Sequence, residues 1–518
     1  MKAQAMINAD TFSPSNTYWA ETHSVENQPD ALENYNVFES DLALKEAALA
    51  HDASWATQDL NEFGVLCGSK EVIELGYLAN ENKPTLYTHD RQGKRIDEVR
   101  YHPAYHQLMK LSMEAGLHAS HWQNKSGAHV ARAAKNLMMA QVEAGHGCPI
   151  TMTSAAIPTL KLQANLFEEW APKILHKSYD SRNIPHTLKE SVTIGMAMTE
   201  KQGGSDVRLN STQAIPVGQV GPGQTYELIG HKYFVSAPMC DAFLVLAQTT
   251  SGISCFLVPR WRPDGTKNPL QIQRLKNKMG NVSNASSETE LRGALGWMVG
   301  DEGHGVSAIL EMVAMTRFDC MIGSSALMRQ SVAQITHHCQ SRFAFGKVLN
   351  QQPLMQNVLA DLILESEAST ALSMRLARSL DMSEHNEQEK NLVRIGTAIG
   401  KYWICKRTPG HAYEAMECIG GSGVMEDCIM PRLFRESPIN TIWEGSGNVQ
   451  CLDMLRALQK TPATLDSFLN EIHLSEGKHP LISETLNSLH ADFSDKDNLE
   501  FRSRSIVEKM ALLFQASS

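Results

Sequence analysis

Apolar residues recur along the chain first at helical spacing, then in short β-like runs, then at helical spacing again. In the first 190 residues the segment 42–51 (LALKEAALAH) is rich in helix formers. Within 126–145, Val130, Ala133, Leu137, Met138 and Val142 fall on one helical stripe. A polar, proline-containing stretch at 179–189 (YDSRNIPHTLK) predicts a loop or boundary. From 191 to about 300 the pattern is β: 191–198 (SVTIGMAM), 226–230, 243–248 and 253–259 are apolar runs separated by turn residues. The last two are joined by TTSG, which predicts a hairpin. The Pro/Gly-rich stretch 216–223 predicts an exposed loop. After Gly305, Val306, Ile309, Leu310, Val313, Met321, Leu327, Met328, Val332 and Ile335 repeat every three or four residues, which predicts a long helix with one buried face. Further helices are predicted over 355–381, 391–419 and 448–459. Two modest helices fit the polar last sixty residues, around Phe468 and Met510. No internal repeat or low-complexity tract is present.

Segregated helix, strand and helix runs predict an α+β fold rather than an alternating βαβ chain. The expected organisation is a helical domain (1–190), an antiparallel β domain (191–300), a helical bundle (301–460) and a short helical extension (461–518).

Composition narrows the function classes. With 518 residues, 42% hydrophobic, the chain can build a core that holds a cofactor without disulfides. Its net charge of −10 argues against a surface that attracts nucleic acid throughout, while leaving room for a local basic patch. The ten cysteines show no CxxC pair and no zinc-finger spacing, so reduced, mostly buried thiols and a cytoplasmic setting are expected. The N-terminal MKAQAMINADTFSPSNTYW has no apolar core of a signal peptide, and no run of 18 apolar residues is present, so no membrane association is expected. His337 and His338 are adjacent on a predicted helix and point apart, so no metal site is expected. There is no Gly-x-Ser-x-Gly elbow.

Four motifs could carry chemistry. In 198–206 (MTEKQGGSD) the paired glycines let backbone N–H groups approach a ligand, and Thr199 and Ser205 offer hydroxyls; an ordinary turn would look the same. In 442–448 (IWEGSGN) Glu444 lies beside an aromatic residue and a glycine turn. An apolar wall there would raise its pKa toward that of a useful base, yet Ser446 could equally be a plain helix cap. In 342–346 (RFAFG), followed by Gln351 and Gln352, Arg342 could clamp a phosphate or complement a helix C-terminus. Gly420, Gly421, Ser422 and Gly423 form a turn or a C-cap.

Taken together and in this order, the motifs resemble the acyl-CoA dehydrogenase superfamily. MTEKQGGSDV, GHKYF (230–234), MTRFDC (315–320), QQPLM (351–355) and IWEGSGN, with NQPDALENYN, AQVEAG and CPITMT upstream, are similar to the branch tied to the response to alkylation damage in DNA. The resemblance runs from about residue 20 to 460. It implies FAD as cofactor, an acyl-CoA or related small molecule as substrate, a homotetramer and an electron-transfer partner. It places Met198, Thr199, Ser205, Phe234, Val235 and Ser236 at the flavin. The loop with Ile442, Trp443, Gly445, Ser446 and Asn448 would also bind FAD. Arg342 and Gln352 would serve FAD of a neighbouring subunit, Ser205 and Arg317 the substrate, and Glu444 would be the catalytic base. In one branch the base lies on a long helix immediately before an arginine. Thr316 stands there in this chain, so the resemblance leaves Glu444 for that role. Glu417 stands where the family often has a glutamine, which weakens one implied FAD contact.

The readings divide into an acyl-CoA-oxidising flavoenzyme, a DNA-associated flavoprotein, and a flavin-bearing scaffold with little turnover. From Asp453 to Ser518 seven Lys and Arg face ten Asp and Glu, a difference of −3, which weighs against DNA.

Overall fold

The computed structural model describes residues 22–518 apart from 124. The polar N-terminal segment read above for a signal peptide lies outside the described residues. The first region contains α1 (Leu42–Ala50), α2 (Thr57–Cys67), α3 (Lys70–Glu81), β1 (Thr85–His89), β2 (Arg95–Arg100), α4 (Pro103–Glu114), α5 (Ala128–Val142), α6 (Gly147–Lys161) and α7 (Ala164–Ile174). The expected stripe of α5 is fully inside: Val130, Ala133, Leu137, Met138 and Val142 are all buried. The helical expectation missed the antiparallel hairpin β1–β2. Its signal was in the sequence, where TLYTH and RIDEVR flank a turn that closes at Gly93 with φ +80.

The middle region holds β3 (Ile194–Ala197), β4 (Gln213–Pro216), β5 (Thr225–Ser236), β6 (Ala242–Thr249), β7 (Gly252–Pro259), β8 (Leu270–Leu275) and β9 (Ser286–Val299). The predicted hairpin forms with Ala242 opposite Pro259 and Thr249 opposite Gly252. Strands β6, β4, β5, β9 and β7 pair in a closed circuit, with β3 on β6 and β8 on β9. The sheet is not wholly antiparallel as expected. β3 runs parallel to β6, and β4 meets β6 in parallel at Gln213. Periodicity identifies strands but carries no information on the direction of a partner.

The third region is α8 (Gly305–Ser341), a short hairpin β10 (Phe343–Ala344) and β11 (Lys347–Val348), then α9 (Pro353–Met382), α10 (Glu387–Ile419), α11 (Ile429–Glu436), α12 (Ile439–Ile442) and α13 (Gly447–Lys460). Helices α8, α9 and α10 pack mutually and α13 packs on α10. The tail forms three helices rather than two: α14 (Ala463–His473), α15 (Pro480–Ser494) and α16 (Leu499–Ser517). It is part of the bundle's core, since Phe468, Ile472, Leu489, Met510 and Phe514 are buried in one cluster with Leu376, Ile395 and Tyr402. A buried arginine fixes this docking. Arg375 on α9 meets Glu471 at 2.6 Å and Glu389 at 2.9 Å.

Arg132 on α5 pairs with Asp319 on α8, and Thr151 on α6 donates to the same carboxylate at 2.6 Å. Around this pair stand His118, His121 and His129. Burial pushes His118 down to about 4 and His129 down to about 3, and holds His121 well below its ordinary value. In the unfolded chain each binds a proton below about 6.5. In the folded chain each stays neutral until far lower pH. Stability is therefore complete above about 6.5 and is lost as pH falls toward 4, by roughly 2 kcal/mol per histidine at about pH 5. Denaturant titrations at pH 7 and pH 5 check this. His129→Gln is expected to reduce the difference between them, and an unchanged difference would remove His129 from the account.

All ten cysteines are free, and none is fully exposed. Among the described residues no helix is long and apolar enough to cross a membrane, and no group of His, Cys, Asp or Glu could hold a metal ion.

Candidate active site

Glu444 sits in the turn between α12 and α13, with Trp443 ending α12 and Gly445 following. Its φ is +57, a left-handed conformation that costs a non-glycine residue about 1–3 kcal/mol and needs support from outside the turn. Three carbonyls in succession receive that support. Lys401 Nζ on α10 donates to Trp443 O at 2.9 Å and to Gly445 O at 2.6 Å. Arg317 Nε on α8 donates to Glu444 O at 2.8 Å. Gln450 on α13 donates to Glu444 O at 3.2 Å and Gly445 O at 3.0 Å. Gly445 has φ +98, and a Cβ there would approach Gln450 Nε2 to 2.8 Å, so glycine is required. Ser446 is at the cap position of α13, but its side chain makes no capping bond.

The Glu444 carboxylate is held separately. Thr316 Oγ1 on α8 donates to Glu444 Oε2 at 2.8 Å. The residue noted above only for failing to be a base thus orients the one that could be. Burial is the leading influence on Glu444 and raises its pKa above the ordinary value; the Thr316 bond and the charges of Arg317 and Lys401 oppose it. Arg317, expected at the substrate, is committed within the protein, since its Nη1 also meets Asp453 at 3.0 Å, which Arg394 shares at 2.9 Å.

Lys401 is 1% exposed and makes no ion pair among the described residues. Lys401→Met is expected to free the turn and remove a positive charge from beside the carboxyl. Any reaction that uses Glu444 as a base should slow by up to about 10²-fold through misplacement. Its acid limb should also move to higher pH. A pH–rate profile that keeps its limb in place would contradict this.

Six of the flavin candidates, Met198, Thr199, Ser205, Phe234, Val235 and Ser236, lie on the β domain. Tyr233 N donates to Thr199 O at 2.8 Å, which brings the MTEKQGGSD turn beside Phe234, Val235 and Ser236. Phe234 is 44% exposed although its ring is apolar, and Ser205 is exposed on the same turn; Val235 points inward and is buried. The turn itself is anchored by Glu200, buried and met by Lys232 Nζ at 2.8 Å, with Ser211 and Thr212 also donating to it. Lys276 Nζ lies over the Phe234 ring at 4.6 Å, so this part-exposed aromatic carries a cation beside hydroxyls and a glycine turn, a set that fits a planar ring system with polar edges. Asn284 has both amide atoms buried without a partner in the protein, and Cys148 on α6 lies beside Asn284 and Ser236. The Cys148 thiol is pushed up to about 12, mainly by burial and partly by Glu444, so it lies within the field of both the β-domain face and the Glu444 turn. The β domain is also docked to the helices that carry Glu444, through Asn281 N donating to Glu436 on α11 at 2.6 Å.

Arg342 and Gln352 lie elsewhere. Arg342 caps α8 and donates to Asn27 O, and Gln352 donates to Ala344 O at 3.0 Å. Between them the β10–β11 hairpin lifts Phe345 almost wholly into solvent, at 99% exposure. Ile442 and Asn448 are exposed on either side of Glu444, and Met198 is partly buried with its carbonyl bound by Asn210. Periodicity missed Lys401, Cys148 and Asn284. A lone lysine inside the apolar run IGTAIGKYWIC was the signal for the first. Nothing local marks the other two.

Comparison with known proteins gives the family and the fold. Residues 27–181 match the adaptive response protein AidB N-terminal domain, 195–294 the acyl-CoA dehydrogenase middle domain, and 303–459 the acyl-CoA dehydrogenase C-terminal domain. The chain is 48% identical to AidB of Escherichia coli (strain K12) over 452 residues, covering 87% of this chain and 82% of that protein. A solved structure described as the Bd2924 apo-form superposes with TM-score 0.86 at 28% identity, over 94% of this chain and 98% of the other. Caenorhabditis elegans ACDH-11 in complex with C11-CoA superposes with TM-score 0.85 at 25% identity, over 96% and 89%.

Proposed function

Since the chain belongs to the acyl-CoA dehydrogenase family of FAD-dependent oxidoreductases, we propose that it desaturates an acyl-CoA thioester between Cα and Cβ, with Glu444 as the base. The carrying observation is a carboxylate with a raised pKa, oriented by Thr316, in a turn whose backbone is held by Lys401, Arg317 and Gln450. An α-proton beside a thioester is weakly acidic, and a carboxylate lifted above its ordinary pKa is a stronger base for it. Glu444 accepts that proton on a carboxylate oxygen, Thr316 keeps the oxygen in place, and the carbonyl clamp prevents the turn from relaxing out of its left-handed form. FAD, when bound, supplies the acceptor for the hydride leaving Cβ. Met198, Thr199, Phe234 and Ser236 would hold its ring, with Ser205 facing the substrate side.

The exposed hairpin around Phe345 supports assembly into a homotetramer in which Arg342 and Gln352 reach a neighbour's cofactor. The C11-CoA bound by the C. elegans relative supports a fatty acyl-CoA as substrate class. Electrons would leave through an electron-transfer partner. The DNA-associated reading draws less support from the tail, where Arg502 and Lys509 are both paired with Asp492.

Incubation with saturated acyl-CoAs of graded length and an artificial electron acceptor, followed by mass analysis, tests the proposal. A product lighter by two hydrogens is expected for at least one chain length. Unchanged thioesters throughout would favour the scaffold reading.

A further inference from the structure

The β1–β2 hairpin does not lie free. Val99 on β2 packs with Ile272 on β8 and Ala285, and with them form a small apolar cluster of their own, separate from the large cores. Beside this cluster, between hairpin and β domain, is a cavity of about 160 Å³. Its lining includes Arg95, Asp97, Asn183, Arg260, Trp261 and Lys267. None of these belongs to the Glu444 turn, and the volume is below the ~300–1,000 Å³ of pockets that enclose a drug-sized ligand.

The charges in this cavity do not balance. Asp97 is its sole carboxylate and is taken by Arg95, whose Nε lies 2.9 Å from it, and by Ile272 N at 3.0 Å. Arg260 and Lys267 make no ion pair among the described residues. Arg260 reaches only neutral acceptors, Asn183 Oδ1 and, at 3.0 Å, the weak acceptor Met239 Sδ. Its Nε is buried with no acceptor. Lys267 Nζ donates to a backbone carbonyl, Ile96 O. The nearest acids outside the lining are already used: Glu98 pairs with Arg100, and Asp241 with Lys189. Burial depresses the pKa of both Arg260 and Lys267, and on Lys267 the Arg260 charge adds to it. Asp241 and Glu98 oppose the shift at Arg260, and Asp97 and Glu98 at Lys267, none of them in an ion pair with either cation. Two cations without a carboxylate partner, a buried guanidinium N–H without an acceptor, and an indole N–H that shares the single Asn183 Oδ1 with Arg260 leave this small cavity richer in donors than in acceptors.

We infer that this cavity binds a small oxyanion, a phosphate or short carboxylate group, between Arg260 and Lys267. A guanidinium offers planar donors to such a group, and an ammonium adds a point charge. The bound anion would tie the hairpin, through Ile96 and Arg95, to the β7–β8 connection that carries Trp261 and Lys267. The site is independent of Glu444, so the inference stands or falls separately from acyl-CoA turnover.

The test is calorimetric titration of the FAD-loaded protein with inorganic phosphate, sulfate and acetate in turn, at constant ionic strength. Saturable binding is expected for phosphate and sulfate if a tetrahedral ion is held, or for acetate if a carboxylate is held. Lys267→Met is expected to weaken it by about tenfold or more while the flavin spectrum stays unchanged. Lys267 is partly exposed, so this variant avoids the folding risk of replacing Arg260. No saturable binding by any of the three, or equal binding by wild type and Lys267→Met, would overturn the inference.

Discussion

Replacing Glu444 by glutamine is expected to leave FAD bound and to slow oxidation of an acyl-CoA by about 10²–10⁴-fold. The amide keeps the shape of the side chain and can still meet Thr316, so the turn should hold. What it loses is the ability to take a proton. The loss should fall on kcat far more than on KM, because the missing interaction develops only as the proton moves. The wild-type rate has a direction to test as well. A base must be ionised, and burial raises the pKa of Glu444. Activity should therefore fall as pH drops through a value above the ordinary carboxylate range, and Thr316→Val should shift that limb further up by removing a bond that favours the ionised form. Turnover by Glu444→Gln within a few-fold of wild type would remove Glu444 from the mechanism.

The second large effect is on stability. Lys232→Met is expected to destabilise the protein by about 3–5 kcal/mol, read by chemical denaturation. Lys232 and Glu200 are both fully buried and 2.8 Å apart. Burial pushes Lys232 down to about 8. Burial also acts against ionised Glu200, but Lys232 and the Thr212 and Ser211 donors outweigh it and hold Glu200 below its ordinary value. Removing the ammonium leaves that carboxylate with only neutral donors in a water-free place. The damage should spread to the MTEKQGGSD turn, so FAD affinity should fall with stability. Adding Glu200→Gln should recover part of the loss, because the unpaired charge is then gone. A double variant as unstable as the single one would mean that the charge is not the cause.

These two residues show how sequence and structure divide the information. Glu200 and Glu444 each stand in a glycine-containing motif next to polar neighbours, and local pattern alone treats them alike. The fold separates them. Lys232, thirty-two positions on, closes over Glu200 and makes it scaffolding, whereas Glu444 receives only a threonine hydroxyl on its carboxylate and keeps proton-accepting capacity. The helices α5 and α8 were legible from apolar residues at helical spacing, but the extent of their burial was not: α5 is buried on nearly every side, with Arg132, Lys135 and Asn136 inside, and Leu310 of the expected α8 face is exposed. The hairpin pairing of β6 with β7 was legible from its turn. The parallel placement of β3 beside β6 and the third tail helix were not, since both depend on contacts between distant segments. The clamp of Lys401 on Trp443 and Gly445 was hidden for the same reason: its partners are more than forty residues away and are backbone carbonyls, which leave no mark on side-chain choice.

Whether Glu444 takes the α-proton is read from the flavin absorption bands when the FAD-loaded protein is mixed anaerobically with acyl-CoAs of graded chain length. The wild type is predicted to bleach with at least one thioester, and Glu444→Gln to stay oxidised with that same thioester bound. A flavin that stays oxidised in the wild type with every chain length, or that bleaches equally fast in the variant, would contradict it.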